Sequence, residues 1–124
     1  MKVKCGTDII EIERIKESVE SLDGKFTKRV FTENEIKYCE SKKAQKYQHY
    51  AARFAAKEAI FKAISDVIED KYSICWKDIE ILNDKTGRPD VKVIGVDLKE
   101  IENIDLSMSH CKLYATATAV AMYR

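Results

Sequence analysis

The 124 residues predict a single α+β domain, with helices in the first half and mostly antiparallel strands in the second. Three observations carry this. Apolar residues recur at helical spacing through the first half, alternate with period two from Ile79 onward, and leave a strip of alanines in each half. Ala52, Ala56, Ala59 and Ala63 fall on one side of a helix, where methyl groups let another backbone come close. Ala115, Ala117, Ala119 and Ala121 share one face of a strand. The expected architecture is a long central helix packed through its alanines on a mostly antiparallel sheet.

Composition sets the class. A hydrophobic share of 45% with 35% charged residues describes a globular chain, and this length buries a core without metal or disulfide staples. The 22 basic and 21 acidic residues leave a net charge of +1, so no global field points to nucleic acid and any acidic partner must be met by a local patch. Cys5, Cys39, Cys75 and Cys111 form no CxxC pair and lie at no zinc-finger spacing from a histidine, so reduced, idle thiols are expected. No stretch approaches the ~18 apolar residues of a membrane span, and MKVKCGTDII lacks the apolar run of a signal peptide. A cytoplasmic location follows as the expectation.

Val3 to Ile10 alternates and reads as a strand ending near Asp8, with Gly6 allowing close backbone approach. Ile9, Ile12 and Ile15 then shift to helical spacing, and Asp23-Gly24 stops that helix. Asp8 is thus expected at a strand-to-helix junction, where it can cap the helix or project into a cleft as a metal ligand. Lys25 to Phe31 reads as a short helical segment, and Thr32-Glu33-Asn34-Glu35 as a capping box opening a helix to about Lys43. The long helix is expected from about Tyr47 to Ile68, with a loop over Glu69 to Ser73. Ile79, Ile81, Val91 and Val93 bracket an Asp84-Lys85-Thr86-Gly87 turn with Pro89 just beyond, which marks a hairpin. Asp97 to Glu102 is expected as a short helix. A second hairpin, Ile104 to His110 and Tyr114 to Met122, closes the chain.

The long helix carries an acid where a hydrophobe belongs. Its apolar stripe runs Tyr47, Tyr50, Phe54, Phe61 and Ile68, and Glu58 fills the slot between the two phenylalanines. A carboxylate placed there loses hydration and needs a cation, proton or strong donor in compensation. Lys62, one turn on, supplies the plain alternative of a helix-surface ion pair worth roughly 0.3 to 0.5 kcal/mol. Arg53 and Lys57 form a parallel positive column, whose ordinary reading is a solvated face.

Four stretches, CGTDIIEIERI, RFAAKEAIFKAI, GRPDV and SMSHCKLYATATAVA, stand in an order and spacing that resemble the holo-[acyl-carrier-protein] synthase family of 4'-phosphopantetheinyl transferases. The resemblance covers nearly the whole chain and implies the 4'-phosphopantetheinyl transferase fold. It implies transfer of the phosphopantetheine arm of coenzyme A to a serine of apo acyl carrier protein, with release of adenosine 3',5'-bisphosphate and a need for Mg²⁺. The metal ligands it implies are Asp8 and Glu58, and Mg²⁺ chemistry agrees, since this ion characteristically takes one or two carboxylates and completes its shell with waters and substrate phosphate.

Catalytic roles are implied for Glu58, Lys62 and His110, with Lys62 clamping charge on the diphosphate. The group that takes the serine proton stays open between Glu58 and a water on the metal. Coenzyme A contacts are assigned to Arg53, Lys57, Lys62, Arg88, Ser109 and His110, although a lone histidine is as often a structural donor. His49 reads as surface or packing. Arg14, with Lys25, Lys28 and Arg29 beside it, is the basic patch expected to meet an acidic carrier protein. The family also implies a homotrimer with sites between subunits, the hairpin residues coming from a neighbouring chain.

One departure stands out. The family's usual Gly-Thr-Gly after the Lys-Ala pair is replaced by Ser65-Asp66-Val67, so a longer helix and a reshaped substrate channel are expected. Two rivals stand beside this reading: a catalytically silent oligomeric module that keeps the fold and holds an acyl carrier protein or nucleotide, and a metal-dependent hydrolase of coenzyme A or another diphosphate. The joint presence of Asp8, Glu58, Lys62 and His110 speaks against the first, and turnover without a protein acceptor would mark the second.

Overall fold

The computed structural model describes residues 1–68 and 73–124. Strand β1 (Lys2–Glu11) leads directly into α1 (Ile12–Glu20), followed by α2 (Lys25–Val30), α3 (Glu33–Glu40) and the long α4 (Lys46–Ala63). The second half holds β2 (Ile79–Asn83), β3 (Pro89–Val93), β4 (Ile101–His110) and β5 (Tyr114–Tyr123). All pairing is antiparallel, in a three-stranded sheet of order β1-β5-β4 and a separate β2-β3 hairpin. The α+β expectation holds, with the N-terminal strand borrowed into the sheet of the second half.

Helix α4 lies on that sheet, packed mainly on β1 and β5. Ala56, Ala59 and Ala63 are buried against Ala117, Ala119 and Ala121, so the two alanine strips face each other. The closest approach is at Gly6, which pairs with Ala119. A Cβ built on Gly6 would stand 2.1 Å from the Ala59 carbonyl oxygen and 2.8 Å from Lys62 Cβ, so only glycine lets the helix cross here. A second cluster, including Ile12, Ile15, Phe31 and Tyr50, joins α1 to α3 to the first half of α4. Thr32 caps α3 in a reciprocal capping box with Glu35, as its sequence predicts.

Several boundaries depart from expectation. β1 continues through Glu11 because its whole length pairs with β5, Asp8 opposite Ala117. Asp8 therefore sits within a strand and caps nothing, Glu11 being the residue before α1. Helix α3 ends at Glu40, short of Lys43. α4 stops at Ala63, so the loss of the glycines does not lengthen it, and Ser65–Val67 forms a separate 3-10 turn. The end is fastened from two sides: the Tyr123 hydroxyl donates to the Ala63 carbonyl at 2.9 Å, and Asp66 pairs with Lys2 at 2.9 Å. Asp97 to Glu102 is no helix, since Leu98 accepts from Ile101 N in a turn and Ile101 already pairs with Tyr123. The loop expected over Glu69 to Ser73 lies, but for Ser73, outside the described residues.

The Arg53 and Lys57 column is not solvated. Lys57 is fully buried, its Nζ donating to Glu35 Oε1 and the Val30 carbonyl at 2.7 Å and to the Trp76 carbonyl at 3.0 Å. Arg53 Nε donates to the Ile81 carbonyl at 3.0 Å, and its guanidinium lies over the Tyr38 ring. Both side chains are spent inside the fold, which corrects their assignment as coenzyme A contacts.

Candidate active site

The Gly6 crossing builds the site. Two residues beyond Gly6 on the same face of β1 comes Asp8, and the turn of α4 that rides over Gly6 presents Glu58 and Lys62. Lys62 Nζ donates to the Thr7 carbonyl at 2.8 Å and stands 3.5 Å from Asp8 Oδ1. Thr116 Oγ1 donates to the Asp8 carbonyl at 2.8 Å, fixing the strand from the other side. Glu58 is half-buried, and its carboxyl holds its proton above the usual range because burial disfavours the charged form and Asp8 adds a like charge, with Lys62 opposing.

Two carboxylates repel each other across a strand and a helix, with one ammonium beside them, and the chemistry of these donors suits a cation. Among the described residues no cluster of three or more His, Cys, Asp or Glu side chains forms a closed cage. The donor set fits an ion that takes two protein oxygens and keeps room for water and phosphate, which is the habit of Mg²⁺. Beside Glu58 opens a cavity of about 490 Å³ lined by Phe61, Ser65, Ile68, Ile74 and Trp76. Trp76 stacks on Phe54 with centroids 5.1 Å apart and meets Phe61 edge-on at 5.2 Å. Sequence reasoning found the phenylalanines flanking Glu58 but missed Trp76 as their roof; the chain's single tryptophan, after the long helix, was the available signal.

The structure brings Asp8, Glu58 and Lys62 together and leaves the other predicted residues apart. His110 shares the helix-facing side of the sheet but lies two strands from Asp8, about 10 Å across at ordinary spacing. Its ring faces His49 at 6.2 Å, and His49 in turn packs edge-on against Tyr38. Burial first, then the charges of Arg53, Lys42 and His110, pushes the His49 pKa down to about 4, so it packs as a neutral ring. Ser109 is exposed on the opposite face of the sheet, and Arg88, at the β2-β3 turn, stands 3.7 Å from Asp105 on the surface. Arg14, Lys25, Lys28 and Arg29 are all exposed on α1 and α2. Cys5, Cys39, Cys75 and Cys111 are free thiols, and no described helix is long and apolar enough to cross a membrane.

Known proteins share this fold. Residues 4–119 match the family model of the 4'-phosphopantetheinyl transferase superfamily. The chain is 49% identical over 125 residues to a holo-[acyl-carrier-protein] synthase of Ruminiclostridium cellulolyticum, covering 97% of this chain and 92% of that one. A crystal structure of a holo-(acyl-carrier-protein) synthase from Bacillus anthracis in complex with CoA (3',5'-ADP) superposes with a TM-score of 0.80 at 34% identity, covering 98% and 96% of the two chains. An ACPS-CoA complex from Chronobacterium ammoniagenes gives 0.84 at 27% identity, over 100% and 99%. With the fold, the Gly6 crossing and the paired acids in place, this chain belongs to the 4'-phosphopantetheinyl transferase superfamily.

Proposed function

We propose that this protein is a holo-[acyl-carrier-protein] synthase: it transfers the 4'-phosphopantetheine group of coenzyme A to a serine of an apo acyl carrier protein and releases adenosine 3',5'-bisphosphate. The observation that carries the reading is the convergence of Asp8, Glu58 and Lys62 at the Gly6 crossing, in a chain 49% identical to such a synthase over nearly its full length.

In the transfer, the serine oxygen bonds to the β-phosphorus of the coenzyme A diphosphate as the bond to the adenosine 3',5'-bisphosphate oxygen breaks. Catalysis of this step is mostly positioning and charge neutralisation. Asp8 and Glu58 would hold Mg²⁺, which when bound neutralises charge on the diphosphate. Lys62, exposed at its tip and anchored on Thr7, is placed to turn its ammonium from Asp8 to a phosphate oxygen. Among this chain's own groups, Glu58, a half-buried carboxylate beside Asp8 and Lys62, is the candidate to take the serine proton.

Arg14, with Lys25, Lys28 and Arg29, forms the exposed basic surface for the acidic carrier protein. A homotrimer is part of the same reading. Val3, Ile9, Tyr114 and Val120 stand exposed on the sheet face opposite α4, an apolar surface that neighbouring copies would cover. Arg88 and His110, remote from Asp8 within one chain, would then serve a neighbour's site. The cytoplasm is the setting where free thiols and this reaction belong together.

Chromatography of coenzyme A incubated with the protein, Mg²⁺ and apo acyl carrier protein tests the reading. Adenosine 3',5'-bisphosphate should appear only when the acceptor is present; release without acceptor would make the protein a hydrolase.

A further inference from the structure

The β2-β3 hairpin reaches the rest of the molecule through side chains rather than through a third strand. Ile81 sits opposite Val91, yet its backbone N–H donates to Glu35 Oε2 at 2.8 Å and its carbonyl accepts from Arg53 Nε at 3.0 Å. Both of its main-chain groups point away from β3, toward the α3 and α4 helices. Arg53 also donates from Nη2 to Asn83 Oδ1 at 3.3 Å, and Lys57 holds Glu35 in place at 2.7 Å. A carboxylate and a guanidinium thus offer the acceptor and donor pattern that an adjacent strand would offer.

We infer that Glu35 and Arg53 stand in for a missing neighbouring strand along Ile81, and so position the β2-β3 hairpin, with Arg88 at its turn, on α4. Arg53 is a positioning residue that acts through Ile81 and Asn83. The helix that carries Glu58 and Lys62 is in this way the same rigid body that aims the hairpin. The consequence for catalysis rests on the proposed transferase reading, in which the hairpin contributes to coenzyme A binding.

The test uses the full chain with coenzyme A, Mg²⁺ and apo acyl carrier protein. Arg53→Met should raise the KM for coenzyme A by about tenfold, the effect of a lost charge-assisted hydrogen bond, and leave kcat within about twofold. Amide hydrogen exchange should quicken in Ile79–Asn83 and Pro89–Val93, while the amides of Ala115, Ala117 and Ala119 keep their protection. Asn83→Ala, a change at an exposed residue that leaves the core intact, should move both readouts the same way by about two- to threefold. A KM that stays put while the hairpin exchanges faster would overturn the positioning role, and unchanged exchange in both variants would overturn the tether. A fall in kcat with an unchanged KM would instead place Arg53 in the chemical step. If the parent protein transfers nothing, the transferase reading fails, and hydrogen exchange alone still decides the tether.

Discussion

Lys57 and Lys62 leave the same helix little more than one turn apart, and each meets a carboxylate. Lys57 and Glu35 lie at zero exposure with every donor and acceptor used, 2.7 Å apart. Lys62 and Asp8 stand 3.5 Å apart at the surface, with Glu58 half-buried beside them and, among the described residues, in no hydrogen bond or close ion pair. Structural and ligand-ready charge thus stand side by side on one helix. A charge the fold has fully satisfied holds the fold, and a charge left half-satisfied is free to meet a ligand.

The largest effect is expected at Lys57. Lys57→Met leaves the Glu35 carboxylate buried without its cation and should destabilise the protein by about 3 to 5 kcal/mol, as removal of one partner from a buried pair does. A denaturant midpoint close to that of the parent would show that the pair is not structural. Gly6→Ala comes next, because its methyl group overlaps the Ala59 carbonyl and the helix must lift. The expected loss is about 1 to 3 kcal/mol, accompanied by a drop in transfer rate as Glu58 and Asp8 part. A stable variant with full activity would mean that the close crossing does not set the site.

Glu58→Gln sharpens the contrast by moving stability in the opposite direction. Folding raises the Glu58 pKa above its unfolded value, so the folded state binds more protons and ionised Glu58 is a burden above that range. The variant should melt slightly higher than the parent at pH 7, and the gap should close as pH falls through the usual carboxylate range; a lower melting point at pH 7 would contradict this. The smallest effect is expected at Arg14. Arg14→Ala should raise the KM for the carrier protein about fivefold at low salt, equivalent to about 1 kcal/mol, with coenzyme A affinity unmoved. An unchanged acceptor KM would remove Arg14 from the docking surface.

Features that depend on near neighbours were legible in the sequence. The Thr32 capping box, both hairpins, the facing alanine strips and the misplaced acid at Glu58 are patterns of a few residues, and each has its expected place. Features set by distant partners were not. Lys57 reads as a surface lysine until Glu35 and Trp76 close over it, and Arg53 as a surface arginine until the Ile81 carbonyl accepts its hydrogen bond. Asp8 reads as a strand end because nothing local announces that β5 pairs with β1 as far as Glu11. The end of α4 at Ala63 is decided by Tyr123 and by Lys2, at opposite ends of the chain. Glu58 stands out because an acid among phenylalanines is a local anomaly, Asp8 and Lys62 join it only through the family resemblance, and Trp76 takes its place as their neighbour only with the fold.

In the proposed reaction, the half-satisfied acids at the Gly6 crossing support a metal-dependent transfer. Intact-mass spectrometry of apo acyl carrier protein, incubated with coenzyme A, Mg²⁺ and either the parent or Glu58→Gln, tests it most directly. The parent should add one phosphopantetheine to the acceptor with Mg²⁺ and none with EDTA, and Glu58→Gln should add none while remaining folded. Equal modification by the two proteins, or modification that survives EDTA, would contradict the account.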